Sequence, residues 1–571
     1  MTVSSSQTRS GAQVICEALV REGVEVLFGI PGGAIMPLYH ALWEYRDRLH
    51  HVLCRHEQGA GHAAEGYARA SGRVGVCIGT SGPGATNLVT PIADAFMDST
   101  PLVVITGQVH SALLGTDAFQ ETDITGITIP ITKHSYLVTD AHELPRVIRE
   151  AFHLASSGRT GPVLIDVTKD AQQTRLVPEW PASSDAGRMD GTPPADRLLR
   201  HAARLLNVSA RPLILAGNGV IQSGAHHVLM AVAERTGVPV VTTLHGLGAF
   251  PQDHPLSLGM PGMHGWVHVN RALQSCDVLL NVGSRFDDRV TGKVATFAPR
   301  ARVIHVDVDA SEIGKLVPVT VGIRGDARQV LEALLPRLES RAHHAWRAEV
   351  REMQATHQPR QTYARRDGER RLMPYDVLRA LNASFASHGQ YRVISDVGQH
   401  QMWTAQLLDW RRPRSHITSG GAGTMGFAVP AALGAALAAP DETIWVVVGD
   451  GGFQMTNQEL ATLQQEGIRN VKIAIINNGY LGMVRQWQEL FEQRRYSGTP
   501  LSAPDFAMLA RAYGHHGVVV DRVEQVSDVL THAWSHDGVV VIDFRVEREA
   551  NVFPMVPAGS SIGEMLTGPV S

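Results

Sequence analysis

Residues 446–460, VVVGDGGFQMTNQEL, run from an apolar stretch into Gly449-Asp450-Gly451-Gly452 and then into a helical pattern. An Asp-Gly pair by itself is a turn former, because both residues tolerate the dihedrals a turn requires. A second apolar run, VKIAIINN, delivers Asn477 and Asn478. Asn478 follows Asp450 by 28 residues, the reach of one strand-helix-strand step in a parallel sheet. A carboxylate, an amide oxygen and a turn carbonyl converging on one sheet edge suit an oxygen-seeking cation such as Mg²⁺, which takes few protein ligands and completes its shell with phosphate oxygens. Two unrelated turns are the alternative.

Two further stretches carry candidate chemistry. In HVLCRHEQGAGHAAEGYARASG, Glu57 follows a short apolar run and opens a helical pattern. The helix macrodipole favours glutamate there. In LAGNGV, Gly217 and Gly219 follow an apolar run as a nucleotide-binding turn would, but Ser223-Gly224 completes the G-x-G-x-x-G pattern only loosely.

The elements that must position these residues are legible as runs. VGVCIGT, PLVVITGQ and PVLIDV in the first third, RPLILAGNG, VPVVTTL, DVLLNVGS and ARVIHVDVD in the second, and IWVVVGD, VKIAIINN and GVVVIDF in the last alternate with helical patterns. Near-continuous Val/Ile/Leu strands between helices imply parallel sheets covered on both faces. The expected fold is therefore α/β, with three doubly wound parallel-sheet domains whose ligands bind beyond the carboxyl ends of the strands. The expected division is residues 1–175, a Pro/Ser/Gly-rich connector at 176–196, a central domain at 197–335, a charged connector at 336–372 holding a helix, a last domain at 373–550 and a tail at 551–571.

The chain has 571 residues, 44% hydrophobic and 19% charged, with a net charge of −4. It lacks both the basic excess of a nucleic-acid binder and an apolar run long enough to span a membrane. Its start lacks a secretory core, so a cytoplasmic location is expected. Cys16, Cys54, Cys77 and Cys276 have no CxxC spacing, against a zinc site or a disulfide framework.

GDG followed by NN resembles the metal-binding signature of thiamin-diphosphate enzymes, and RHEQGA with AEGYARA resembles the stretch that carries their activating glutamate. FGIPGGAIMPLY, TSGPGATNLVT, ITGQVHSALLGTDAFQETD, GRTGPVLIDVTKD, GSRFDDRVTG, SDVGQHQMW, GTMGF and GMVRQWQ extend the likeness over nearly the whole chain, to the catalytic subunits of the acetohydroxyacid (acetolactate) synthase family. The resemblance implies Mg²⁺ held by Asp450, Asn478 and the carbonyl of Tyr480. Gly449, Gly451, Gly452, Val397, Gly398, Gln399 and His400 then surround thiamin diphosphate. Gly423 accepts from its aminopyrimidine, Met425 wedges it into a bent shape, and Glu57 of a second subunit activates it.

The implied reaction decarboxylates pyruvate and passes the hydroxyethyl unit to another pyruvate, giving 2-acetolactate, or to 2-ketobutyrate, giving 2-aceto-2-hydroxybutyrate. This is the first common step of branched-chain amino-acid biosynthesis. Arg289 is implied for the acceptor carboxylate and Trp487 for the pocket favouring the larger acceptor, with Gly33, Phe119, Gln120, Lys169 and Met483 along the same channel. Each also has a structural reading: Phe119 as a core aromatic, Lys169 as a solvated helix-start residue, Arg289 as an ion-pair partner of Asp287 or Asp288.

The same resemblance implies FAD, held by Arg159, Gly217, Gly219, Thr243, Leu244, His264, Arg285, Asp287, Asp307 and Asp326, although the reaction involves no net redox change. It also implies a homodimer or homotetramer with active sites at the subunit interface, and a small regulatory subunit. A flavin-free catabolic acetolactate synthase and a catalytically silent flavin-binding scaffold are the alternatives. RFDDRVTG and GMVRQWQ oppose the first; intact Glu57, Asp450 and Asn478 oppose the second. His110 departs from the proline or small residue of many relatives, at a position tied to inhibitor sensitivity. The tail ANVFPMVPAGSS is expected to act as a mobile lid.

Overall fold

The apolar runs form three six-stranded sheets in the computed structural model of the chain, which describes residues 8–181, 194–357 and 371–568. Each sheet is wholly parallel. The first runs His50–Leu53, Val26–Gly29, Gly75–Gly79, Leu102–Gln108, Pro162–Thr168, His134–Val138. The second runs Ser257–Gly259, Val240–Thr242, Pro212–Ala216, Val278–Val282, Arg302–Asp307, Val321–Arg324. The third runs His416–Thr418, Tyr391–Ser395, Thr443–Gly449, Val471–Asn477, Val540–Arg545, His516–Val520. Central strands such as Leu102–Gln108 and Pro162–Thr168 are buried at every residue, as sheets with both faces covered require.

One pairing had no signal in the sequence: Arg9–Ser10 joins Arg175–Leu176 as a short antiparallel ribbon, bringing the start of the described chain to the end of the first domain. The two connectors fall partly outside the described residues. Within the second, helix His344–Thr356 buries Trp346 and Val350, and the Trp346 indole donates to the Pro212 carbonyl at 2.9 Å.

The first and last domains meet through two helices of small residues, Glu57–Ser71 and Ala428–Ala438. A Cβ built on Gly66 would lie 2.0 Å from the Ala431 carbonyl oxygen, and one on Gly434 1.8 Å from that of Ala63. The backbones touch there, and only glycine permits the approach.

The tail, expected as a mobile lid, is docked. Val552, Met555, Val556 and Ile562 are buried. Val556 N–H donates to the Met263 carbonyl and Lys293 N–H to that of Ser560, so the apolar residues between the tail's prolines and glycines anchor it.

Candidate functional site

Strands Thr443–Gly449 and Val471–Asn477 are neighbours, and Gly449 pairs with Ile476. The register brings Asp450 and Asn478 to the same edge, just past the strand ends. Asp450 begins helix Asp450–Thr456 and is 1% exposed. Burial pushes its pKa up to about 7, and its Oδ2 has no hydrogen-bond partner. A buried carboxylate left in that state is costly unless a cation pairs with it. The Asn478 amide is oriented by its neighbours: Nδ2 donates to Gln399 Oε1 at 3.2 Å, and Oδ1 accepts Tyr480 N–H at 3.1 Å.

Val397, Gly398, Gln399, His400, Met425, Gly449, Gly451, Gly452 and Tyr480 line one cleft with Asp450 and Asn478. Gly398 sits at φ +146°. A Cβ on Gly451 would press 2.8 Å from Leu481 Cδ2, so glycine keeps the cleft open there. His400 is a bracing group: burial lowers its pKa to about 3, and its Nε2 accepts Gly449 N–H at 3.2 Å. Gly423 lies off the wall, on the exposed loop leading to Met425.

Met483 is on the same wall, and Trp487 packs on Phe491 one turn along helix Gly482–Phe491. Two residues missed in the sequence hold that helix. Arg485, fully buried, ion-pairs with Glu489 at 2.6 Å and donates to the Ala550 carbonyl. The Gln486 side chain donates to the Val552 carbonyl and accepts Val552 N–H. Gln399 ties both to the Asp450 cleft, donating to Gln486 Oε1 and to the Ala550 carbonyl, each at 2.8 Å.

A second group collects at the carboxyl edge of the first sheet. Glu57, 9% exposed, starts its helix, and its Oε2 accepts from Asn87 Nδ2 at 2.9 Å. Gly33, Gln120 and Lys169 follow the carboxyl ends of other strands of this sheet. Space around Gly33 is open, Gln120 has φ +61°, and Lys169 begins helix Lys169–Gln173. Phe119, for which a core position was one reading, is 88% exposed. Arg289 stands on the middle domain with a largely exposed side chain, 3.0 Å from Met263 Sδ and 3.6 Å from Asp288. None of these residues lines the Asp450 cleft within one chain. His110 is half-exposed, 3.9 Å from Asp170.

A cavity of about 620 Å³ opens between the first and middle domains. Arg159, Gly219, Thr243, Arg285, Asp287, Asp307 and Asp326 are on its wall; Gly217, Leu244 and His264 are not. Gly217 turns behind it, against the Gly283 carbonyl. Leu244 yields its place to His245. His264 is buried under the tail, its Nδ1 3.3 Å from the Pro554 carbonyl oxygen, and burial lowers its pKa to about 4. Asp98, Asn218, Glu312 and Arg414 are wall residues that local sequence reasoning had no means to find. Gly219 and Gly283, from turns after neighbouring strands, are close enough that a Cβ on Gly219 would meet Gly283 Cα at 2.7 Å. That close contact is typical of a dinucleotide crevice. Burial raises Asp307 to about 6.

His62, Glu65 and Asp94 form a buried cluster with ligand atoms within 4.8 Å of one another. Burial raises both carboxyls and lowers the imidazole, so all three favour their neutral forms. Asp94 Oδ1 accepts from Ser419 and Thr424 of the last domain.

Three family models match the chain: thiamine pyrophosphate enzyme, N-terminal TPP binding domain, over residues 9–127; central domain over 199–334; and C-terminal TPP binding domain over 396–544. The acetolactate synthase large subunit of Corynebacterium glutamicum is 50% identical, the match covering 98% of this chain and 90% of that protein. The acetolactate synthase large subunit of Mycobacterium tuberculosis is also 50% identical, over 98% and 91%. The acetolactate synthase isozyme 2 large subunit of Escherichia coli is 46% identical, over 98% and 99%. Among the described residues no helix is long and apolar enough to cross a membrane.

Proposed function

Because the chain belongs to the thiamine pyrophosphate enzyme family, among the acetolactate synthase large subunits, we propose that it is a carboligase. It decarboxylates pyruvate and transfers the hydroxyethyl unit to a second pyruvate or to 2-ketobutyrate, opening branched-chain amino-acid biosynthesis in the cytoplasm. The observation that carries this reading is Asp450: a buried carboxylate with a bare oxygen, beside an oriented Asn478, in a glycine-lined cleft.

That donor set fits Mg²⁺ with a diphosphate. Asp450, Asn478 and the Tyr480 carbonyl hold the ion, and Gly398, Gly449, Gly451 and Gly452 leave room for the phosphates. Thiamin diphosphate, when bound, supplies an electron sink for loss of carbon dioxide from a 2-ketoacid. Met425 and the Gly423 carbonyl fix its orientation. Glu57 holds a proton toward the aminopyrimidine ring nitrogen, with Asn87 steering its other oxygen. Arg289 pairs with the acceptor carboxylate, where a guanidinium binds two oxygens at once. Trp487 and Met483 shape the acceptor pocket, and Gly33, Phe119, Gln120 and Lys169 line the approach.

Glu57 does not reach the Asp450 cleft of its own chain, which supports a homodimer, alone or paired into a tetramer, whose sites combine the first domain of one copy with the last domain of the other. The middle cavity fits FAD: Arg159 and Arg285 suit a diphosphate, and Asp307 and Asp326 suit ribose hydroxyls. The names of the relatives as large subunits support a smaller regulatory partner. The domains at 1–175, 197–335 and 373–550 divide these duties among them: the activating glutamate, the flavin, and the metal with its diphosphate.

The test is one assay with pyruvate, with and without 2-ketobutyrate, omitting thiamin diphosphate, Mg²⁺ and FAD in turn. We expect 2-acetolactate alone or with 2-aceto-2-hydroxybutyrate, and loss of product on each omission. Absence of any carboligation product from the complete mixture refutes the reading.

A further inference from the structure

One buried carboxylate stands between the middle cavity and the Asp450 cleft. Asp98 closes helix Val89–Asp98 and lines the middle cavity with Met97 and His245. It also holds the loop of the last domain that runs from strand His416–Thr418 to Met425. Its Oδ1 accepts Gly421 N–H at 2.7 Å and its Oδ2 accepts Gly420 N–H at 3.0 Å. The same two oxygens face His245 Nε2 at 2.9 Å and Arg69 Nη1 at 3.2 Å.

The proton positions follow from the arginine. Arg69 Nη2 can only donate and lies 2.8 Å from His245 Nδ1, so Nδ1 is the acceptor and Nε2–H donates to Asp98. The contact is also tight. A Cβ on Gly420 would fall 2.2 Å from His245 Nε2, and one on Gly421 2.7 Å from Met97 Cβ. The loop backbone therefore lies directly on side chains that face the cavity. Asp94, one helical turn earlier, pins both ends of the loop through Ser419 Oγ at 2.5 Å and Thr424 Oγ1 at 3.1 Å. Between these two pins the loop can respond at Gly420 to Gly423, and just past the Thr424 pin Met425 is a wall of the other cleft.

We propose that Asp98, oriented by His245 and Arg69, is a positioning residue that couples the two cofactor sites: a dinucleotide filling the middle cavity fixes Asp98 and with it the loop segment that presents Gly423 to thiamin diphosphate. The inference rests on the assignment of the middle cavity to FAD. It assigns a consequence to a flavin whose redox chemistry the reaction does not use. Coupling between two binding sites is reciprocal by thermodynamic necessity, so FAD tightens thiamin diphosphate by the same factor as thiamin diphosphate tightens FAD.

The test measures binding, not turnover, on the full chain freed of cofactors. Thiamin diphosphate with Mg²⁺ is titrated by tryptophan fluorescence with and without saturating FAD, and FAD by flavin fluorescence with and without thiamin diphosphate. The wild type should give equal factors of about 5 or more. Asp98→Asn, which turns an amide donor toward Gly420 or Gly421, should bring both below about 2. His245→Ala should do the same, and His245→Gln, whose amide can accept from Arg69 and donate to Asp98, should restore the coupling. A wild type that binds FAD without coupling overturns the proposal, as does coupling that persists in folded Asp98→Asn or is lost equally in His245→Gln. The flavin reading fails separately, if FAD does not bind or if Arg285→Ala leaves its affinity unchanged.

Discussion

At the scale of single residues, Asp450 and Glu57 are both buried acids next to strand ends, and their surroundings differ as the separate duties proposed for them require. Asp450 keeps an oxygen without a protein partner, whereas Glu57 has an oxygen held by Asn87. Asp450→Ala should therefore weaken Mg²⁺-dependent thiamin diphosphate binding by at least the roughly 10–100-fold that even outer partners of a metal are worth, as fluorescence titration would register. Glu57→Gln keeps the shape and the Asn87 contact but not the proton. It should lower kcat by about 10²–10⁴-fold while leaving cofactor affinity within about tenfold; near-normal kcat would remove Glu57 from the mechanism. A third acid is structural. Burial pushes Asp166 up to about 7 between Thr106 and Gln108, against about 3.9 in an unfolded chain. The folded state then keeps a proton the unfolded chain gives up, so this contribution is complete below about pH 4 and disappears as pH rises through 7. The integrated effect is at most roughly 4 kcal/mol. The thermal-stability advantage of the wild type over Asp166→Asn should accordingly shrink from pH 4 to pH 8, and a pH-independent difference would contradict the assignment.

At the scale of elements, the helix pair Glu57–Ser71 and Ala428–Ala438 joins the two domains on which the proposed chemistry is mounted. Glu57 begins one helix, and the other follows directly on Met425 and its loop. Gly434→Ala adds a methyl 1.8 Å from the Ala63 carbonyl oxygen, and overpacking of this kind costs about 1–3 kcal/mol or more. The variant should unfold several degrees lower and lose activity, whereas Gly389→Ala, with open space around it, should behave as the wild type in the same thermal scan. The same pair marks how far the sequence could be read. The strands and the residues at their ends were legible because the signal is local: an unbroken Val/Ile run, then Asp450 or Asn478 where it stops. The fastenings between elements were not. Asp98 meets Gly420 and Gly421 across more than 300 positions, and Gln486 meets Val552 across a turn of the fold, and no local periodicity marks either. The seating of the tail was hidden for a related reason. Its glycines and prolines speak for mobility, but Val552, Met555 and Val556 find buried seats that only the assembled domains provide.

At the scale of the whole molecule, the proposed dimer makes each chain carry two half-sites, each incomplete without its partner. The cleft at Asp450 is walled by residues of the last domain alone, and its surroundings include the exposed apolar side chains of Met455 and Val484. The edge at Glu57 has Phe119 nearby in the fold, 88% bare. Large apolar groups exposed around a polar site mark a surface meant to be covered, and in a twofold dimer the same pair of surfaces is used twice, the first domain of each copy meeting the last domain of the other. That arrangement makes a prediction that no single-chain site can imitate. Glu57→Gln and Asp450→Ala should each be nearly inactive alone. In a hybrid of the two, one site receives both altered residues and the other receives neither. Equal amounts allowed to exchange subunits freely give hybrids as about half of all dimers, each with one intact site, so activity should recover to about a quarter of the wild-type value. Recovery must follow the slow course of subunit exchange and vanish if the dimers are cross-linked before mixing. If Glu57 and Asp450 instead served the same site from one chain, every site in the mixture would carry one lesion, and mixing would restore nothing.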